Sequence, residues 1–324
     1  MRRRPEQIGW RESVRGYAWA SPWFIGFLFL TVGPMIFAAV ISLTDWSGVG
    51  SIGEAEWVGV ENYVRPFADT AHHGRDEYFA MALRNTAIYA VGSVVLTLAA
   101  ALGLAMLLHQ KLRGIAIYRT VFFMPAIVSG VATMVMWRWV YNPEFGLLNA
   151  GLRLVYRGWN AVAPAALHLT ATPDWIYSVH WALPALILMS VWGCGGAMMI
   201  FLAGLQNIPE HLYEAASIDG AGWWRRFVHI TLPQLSPTIF FNLVMGIIGS
   251  FQVFAQAYLL PATPGGPSNA TLVYVLYLYR KAFMETEMGY ACALGWILFA
   301  VILAVTLAVV GTSRRWVYYE GAEA

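Results

Sequence analysis

Residues 290–311 read YACALGWILFAVILAVTLAVVG, without one Asp, Glu, Lys, Arg or His. A helix needs roughly 20 such residues to cross the hydrocarbon core of a bilayer. Lipid offers the backbone no water to bond, so a run of this kind must be helical. Five further runs share the property, at residues 18–43, 86–108, 120–137, 182–204 and 236–259. The short alternating segments of a membrane β-barrel are absent. The pattern predicts an all-α polytopic membrane protein with six transmembrane helices. Residues 18–311 form its one membrane domain, flanked by tails at 1–17 and 312–324.

Composition agrees. Of 324 residues, 59% are hydrophobic and 12% charged, about half the roughly 25% charge of soluble domains. A net charge of +2 leaves no basic surface for nucleic acid. Cys194 and Cys292 both lie inside apolar runs, which argues against a disulfide framework or a cysteine metal site. His72 and His73 stand together in a polar connection, with no third ligand at metal spacing, and read as solvated. The first apolar run follows a basic N-terminus as a secretory signal would. Its 26 residues exceed such a signal, and it reads as a retained anchor.

Lys and Arg set the orientation. Twelve fall in the N-terminal tail, the second and fourth connections and the C-terminal tail, and eight in the three other connections, which carry eleven of the eighteen acids. The positive-inside rule places both termini and connection 205–235 in the cytoplasm. The runs themselves hold only neutral polar groups, among them Ser129, Ser190, Asn242, Ser250, Gln252 and Gln256. Without a buried ionisable group, ion-coupled transport and intramembrane catalysis are disfavoured. Amides and hydroxyls among aromatics suit an uncharged, hydroxylated solute, and equally suit bonds between helices. Gln252 and Gln256, four apart, are expected to share a helix face, with Gly249 a turn below. That glycine permits either tight helix packing or room for a solute.

Connection 205–235 carries the most local information. Asn207 is placed to cap a helix, Pro209 falls in its first turn and Glu210 adds charge at its positive end. Leu212, Ala215, Ala216 and Asp219 recur at 3–4 spacing. Gly220 and Gly222 break the helix, residues 223–229 form a second, and Pro233 ends the segment. The knob is either an interfacial helix or, given its acids and small residues, a plug for a protein socket.

Glu214-Ala215-Ala216, then three residues, Gly220, nine residues, Ile230, one residue and Leu232-Pro233, resembles the EAA signature of ATP-binding-cassette importer permeases. Asn85-Thr86, Phe122-Phe123-Met124-Pro125, Gly146-Leu147-Leu148-Asn149, Ser250-Phe251-Gln252, Gly265-Gly266-Pro267 and Gly289-Tyr290-Ala291 are similar to its carbohydrate-uptake branch, that of maltose, lactose and glycerol-3-phosphate permeases. The resemblance implies a type I importer permease in a bacterial cytoplasmic (inner) membrane, with a cytoplasmic coupling helix. Glu214, Ala215, Ala216, Asp219 and Gly220 would meet an ATPase dimer. Gln252, Gln256, Ser250 and Ser129 would line the solute pathway. The implied partners are that ATPase, a second homologous permease and an extracytoplasmic solute-binding protein, the last docked on the outer loops.

The chain itself is expected to hold no cofactor and to be no enzyme. Its only lysines are Lys111, after Gln110, and Lys281, after Arg280, so no P-loop Gly-Lys exists. ATP and Mg belong on the partner. The expected cargo is a sugar or oligosaccharide. The alternatives are a polyol phosphate such as glycerol-3-phosphate and, outside the importer class, an ATP-independent facilitator.

Overall fold

The computed structural model describes residues 10–69, 76–110, 113–162, 164, 167, 169, 171–261 and 263–318. His72 and His73 lie outside them. The described residues are helical, with a single isolated β-bridge between Thr44 and Trp57. In chain order the helices are α1 (Trp10–Phe27), α2 (Gly33–Ile41), α3 (Glu61–Val64), α4 (Glu77–His109), α5 (Ile115–Phe123), α6 (Gly130–Val140), α7 (Leu147–Val162), α8 (Ala182–Ser190) and α9 (Gly195–Gln206). There follow α10 (Glu210–Ile218), α11 (Trp223–Arg226), α12 (Leu232–Phe251), α13 (Ala255–Leu259), α14 (Tyr274–Tyr279) and α15 (Met288–Ser313).

Among the described residues, four helical stretches are long and apolar enough to cross a membrane: Val14–Ile41, Glu77–His109, Trp223–Leu259 and Met288–Ser313. Two bent helix pairs bring the number to six where each pair counts as one span. The two pairs fall on the third and fourth apolar runs. Ile115–Ala126 and Gly130–Val140 meet at 97°, and Ala182–Gly193 and Gly195–Gln206 at 48°. The first bend follows a 3-10 turn, Met124–Ala126, built around Pro125. The second follows a 3-10 turn, Val191–Gly193, bounded by glycine on each side of Cys194. Proline and glycine are the residues that loosen an intrahelical ladder.

Pro34, Pro233 and Pro237 are absorbed without a break. Pro233 was expected to end its segment, yet helix continues through it. A π-helical turn at Phe227–Thr231 widens the ladder just ahead, with Leu232 N–H bonded to the Phe227 carbonyl. The wider turn spares the carbonyl that the proline ring would strike and needs no proline N–H. Leu28–Val32 does the same ahead of Pro34, where Gly33 N–H reaches the Leu28 carbonyl. The carbonyl that Pro237 leaves without an amide donor, that of Pro233, accepts the Ser236 hydroxyl at 2.6 Å.

The chain divides into two compact units. The first holds Met1–Arg75 and Tyr279–Ile297. Here Gly289 N–H bonds to the Trp46 carbonyl at 2.8 Å, and any Cβ at Gly289 would lie 2.0 Å from the Thr44 carbonyl oxygen. Only glycine lets these backbones meet. Asn62 donates to the Ser42 and Thr44 carbonyls at 3.0 and 2.9 Å. Arg65 pairs with Glu287 at 2.9 Å and lies over the Tyr290 ring, while Lys281 reaches Glu285 and Glu287 at 2.6 and 3.1 Å.

The second unit holds Asp76–Leu278 and Leu298–Ala324. Its centre is α4, against which α8, α9 and α12 pack. Ala101, Ala105, Met198, Phe201, Leu205 and Leu235 are buried together there. Small residues let helices approach where lipid supplies no hydrophobic drive. A Cβ at Gly204 would meet Thr238 Oγ1 at 2.8 Å and Leu235 Cδ2 at 2.9 Å. Near the start of α4, Asn85 donates to the Asn269 and Leu272 carbonyls, both at 3.2 Å, and Thr86 Oγ1 accepts Tyr274 N–H at 2.8 Å. These bonds tie down the loop carrying Gly265 and Gly266, both at positive φ.

Candidate functional site

The knob at 205–235 is made by backbone chemistry at both ends. Asn207 does not cap α10 but closes α9, its N–H on the Gly204 carbonyl at 3.2 Å. The N-cap of α10 is Pro209, extended at φ −60 and ψ 129, with Glu210 in the first turn. At the far end Ala221 N–H bonds to the Ala216 carbonyl at 2.8 Å, and Gly220 N–H to the Ser217 carbonyl at 3.1 Å. With Gly220 at φ +72, this is a complete Schellman stop. Gly222 then serves as N-cap of α11.

The faces of α10 differ from the expected grouping. Leu212 and Ala216 turn inward together with Tyr213, whereas Ala215 and Asp219 are exposed. Leu212, Tyr213 and Ile230 pack on the core that α4 and α9 share, and Tyr213 OH lies 2.9 Å from Thr231 Oγ1. Outward stand Glu210, Glu214, Ala215 and Ile218. Ile218 is 87% exposed, and Trp223 and Trp224 beside it are also exposed. The Trp223 and Phe227 rings stack at 5.6 Å. Sequence reading missed these three large apolar residues. The helical i,i+4 step from Glu214 to Ile218 was the signal that could have found one of them. At the root of the knob lies a largely apolar cavity of about 1060 Å³, reaching from Gly103 and Met106 of α4 to Pro209, Tyr213 and Trp223.

The candidate pathway residues sit at breaks in helices. The shared face expected of Gln252 and Gln256 does not form. Helix α12 ends at Phe251, Gln252 is its C-cap at φ −97 and ψ 13, and α13 restarts after Phe254 at φ −138. The α-helical ladder opens there, and the Gln252 and Val253 N–H groups turn to carbonyls three residues back, those of Gly249 and Ser250, in long bonds of 3.3 and 3.4 Å. Gln252 is exposed and Gln256 half-buried. Ser250 is buried and spends its hydroxyl on the Ile247 carbonyl at 2.9 Å. Ser129 is exposed at the N-cap of α6, just past the 97° bend.

These breaks are neighbours. The turn Met124–Ala126 packs on Val191–Gly193, and α13 packs on α6. Trp192 in the second turn meets Trp137 of α6 edge to face, ring centroids 5.9 Å apart. Trp137 Nε1 is buried with no hydrogen-bond partner. Irregular backbone at membrane depth persists only where protein buries it or a polar cavity receives it. Among the described residues no three His, Cys, Asp or Glu come together as a metal site.

Comparison with known proteins fits this geometry. A family model described as the binding-protein-dependent transport system inner membrane component matches residues 98–319. The chain is 40% identical over 314 residues to the probable ABC transporter permease protein YesP of Bacillus subtilis (strain 168), covering 97% of this chain and 94% of that one. It is 32% identical to the arabinooligosaccharides transport system permease protein AraP of the same organism, over 93% of this chain and 91% of the relative. It is 30% identical to the lactose transport system permease protein LacF of Rhizobium radiobacter, over 90% and 92%. Among solved structures, a bacterial ABC transporter involved in the import of the acidic polysaccharide alginate superposes with TM-score 0.75 at 23% identity, covering 94% of this chain and 98% of that chain.

Proposed function

The chain belongs to the family of binding-protein-dependent transport system inner membrane components, and from that premise we propose that it is the permease half of an ATP-driven sugar or oligosaccharide importer. Relatives named for arabinooligosaccharides, diacetylchitobiose and lactose support that cargo class over a polyol phosphate. The observation that carries the coupling role is the knob itself. A nine-residue helix is stopped by a glycine at positive φ and presents Glu214, Ala215 and Ile218 outward. Its inner side is anchored through Leu212 and Tyr213 to the buried centre of the fold. A push on the outer face therefore reaches α4, α9 and α12 as a unit.

The knob and both tails, 1–17 and 312–324, face the cytoplasm. A separate ATPase dimer binds ATP and Mg and engages the exposed Glu214, Ala215, Asp219 and Gly220, with the half-buried Ala216 behind them. A second permease completes the pathway, and an extracytoplasmic binding protein delivers the solute. Gln252 and Ser129, exposed beside the helix breaks, offer an amide and a hydroxyl to a sugar, with Gln256 behind them. Ser250 holds the α12 terminus through its bond to Ile247. ATP and solute drive the cycle only if each favours a different conformation.

The test is purification of the chain in mild detergent from its own host. Co-purification of a P-loop ATPase and a second six-span chain, both lost in Glu214→Arg, is the expected result. Sugar uptake that survives Glu214→Arg undiminished would replace this reading with an ATP-independent facilitator.

A further inference from the structure

Among the described helices the most amphipathic is neither a span nor the knob but α7, in the connection between the third and fourth apolar runs. Its apolar and polar faces are the reverse of a soluble helix's. Leu147, Leu154, Val155 and Val162 form one stripe, interrupted only by Gly151 and Gly158, and all six are exposed. Val162 is 84% exposed and Leu147 75%. The polar face is the one bound to the protein. Asn149, fully buried, donates to the Pro143 and Pro173 carbonyls at 3.2 and 3.1 Å and accepts Trp175 Nε1–H at 2.8 Å. Arg153 donates to the Glu144 carbonyl at 3.0 Å, and Asn160 exchanges two bonds of 2.9 Å with Leu169. Water would favour the opposite arrangement, so the stripe has a non-aqueous partner.

We propose that this partner is the lipid interface of the leaflet remote from the knob. Position argues for it. Tyr141 OH bonds to the Ala185 carbonyl at 2.7 Å, which places the α6–α7 turn beside the first residues of α8. The other half of that span, α9, ends at Gln206, four residues before the knob. The stripe therefore starts at the membrane exit of α6. The turn is tight, since a Cβ at Gly146 would lie 2.3 Å from the Asn142 carbonyl oxygen. The apolar surface is also continuous, because α6 exposes Val131, Val135 and Trp139 as its own flank. Charge argues for it too. The sixteen residues of α7 contain no acid, and Arg157 and Trp159 are both exposed beside the stripe. Arginine meets headgroup phosphate and indole sits at headgroup level, the combination of a helix lying in the interface.

The assembled transporter tests this, reconstituted in nanodiscs of phosphatidylethanolamine and phosphatidylglycerol. Nitroxide labels are placed singly by Leu154→Cys, Val155→Cys, Val162→Cys and, as the water-facing control outside the helix, at exposed Asp174 by Asp174→Cys, in a background with Cys194 and Cys292 replaced. The first three labels are expected to be several-fold more accessible to oxygen, and less to aqueous nickel chelate, than the control. Equal nickel accessibility at all four positions overturns the proposal. So does protection that appears only on adding the solute-binding protein, which would make α7 a protein dock. The unmodified chain supplies an independent readout that needs no variant. Photoreactive phosphatidylglycerol should leave adducts on residues 147–162, and their absence, with adducts present on α6, counts against the proposal. Neither measurement depends on cargo, so failure here leaves the importer reading standing.

Discussion

The amide of Ala221 lies 2.8 Å from the carbonyl oxygen of Ala216. That bond spans six residues and is possible only because Gly220 between them adopts φ +72. Nothing lies within 4 Å of where a Gly220 Cβ would be, so the glycine is required by conformation and not by space.

Substitution at Gly220 should therefore follow tolerance of left-handed backbone. A non-glycine residue there costs about 1–2 kcal/mol, Asn least and β-branched residues most. Solute-stimulated ATPase activity of the assembled transporter should fall in the order Gly, Asn, Ala, Val, with the amount of chain in the membrane unchanged. An Ala variant indistinguishable from Gly would contradict this.

Ile218 should behave as an apolar anchor of the knob. Truncating a buried interface anchor costs 1–2 kcal/mol or more, roughly a tenfold loss of affinity. Ile218→Ala should weaken ATPase capture about that much, and Ile218→Asp should abolish it. Titration of the ATPase onto nanodisc-held permease reads the difference.

The pair formed by Arg65 and Glu287 should make the first unit acid-sensitive. Burial works to raise the Glu287 pKa, but the Arg65 hydrogen bond and the charges of Lys281 and Arg65 outweigh it and leave the carboxyl below its usual value. A depressed carboxylate stabilises above the unfolded value of about 4.3. That stabilisation is lost as pH falls through the folded value. Thermal unfolding should be flat from pH 7 to 5 and fall below about pH 4, with the acid limb reduced in Glu287→Gln. At neutral pH that variant should lose less than the roughly 3–5 kcal/mol of a fully buried broken pair.

Asn85→Ala removes two hydrogen bonds from carbonyls of the loop that holds Gly265 and Gly266. Each buried carbonyl left bare costs about 1–3 kcal/mol. Limited proteolysis should cut residues 260–273 faster in the variant, while ATPase capture at the distant knob stays intact.

Gln252→Ala and Gln256→Ala should separate, because the helix break puts them in different surroundings. The exposed Gln252 should dominate loss of sugar uptake, the double variant should add to it, and ATPase binding should persist. Unchanged uptake affinity and rate in the double variant would remove both from the pathway.

Much of this was legible in order of physical range. Apolar runs as long as a bilayer need only counting, and each of the six falls on one of the four candidate spans or the two bent pairs, within a few residues at most ends. The knob was legible too, because a helix stop at glycine is a local event. What escaped were features set by contacts far apart in sequence. Gln252 and Gln256 are four apart, yet the ladder between Gly249 and Phe254 opens. The periodicity of α7 is plain in the sequence, but a period does not say which face is turned outward.

The sequence by itself determined that this chain carries several apolar runs long enough to cross a membrane and a glycine-stopped helical knob, because hydrophobic length and a left-handed glycine act over one helix or one turn. Only the tertiary structure decided where the spans bend, which motif residues are clamps and which are open, and that the polar side of α7 faces the protein. Asn85, Asn149 and Gly289 look alike as motif letters. Each bonds to a segment at least 24 residues away, and no local pattern specifies the partner of so distant a contact.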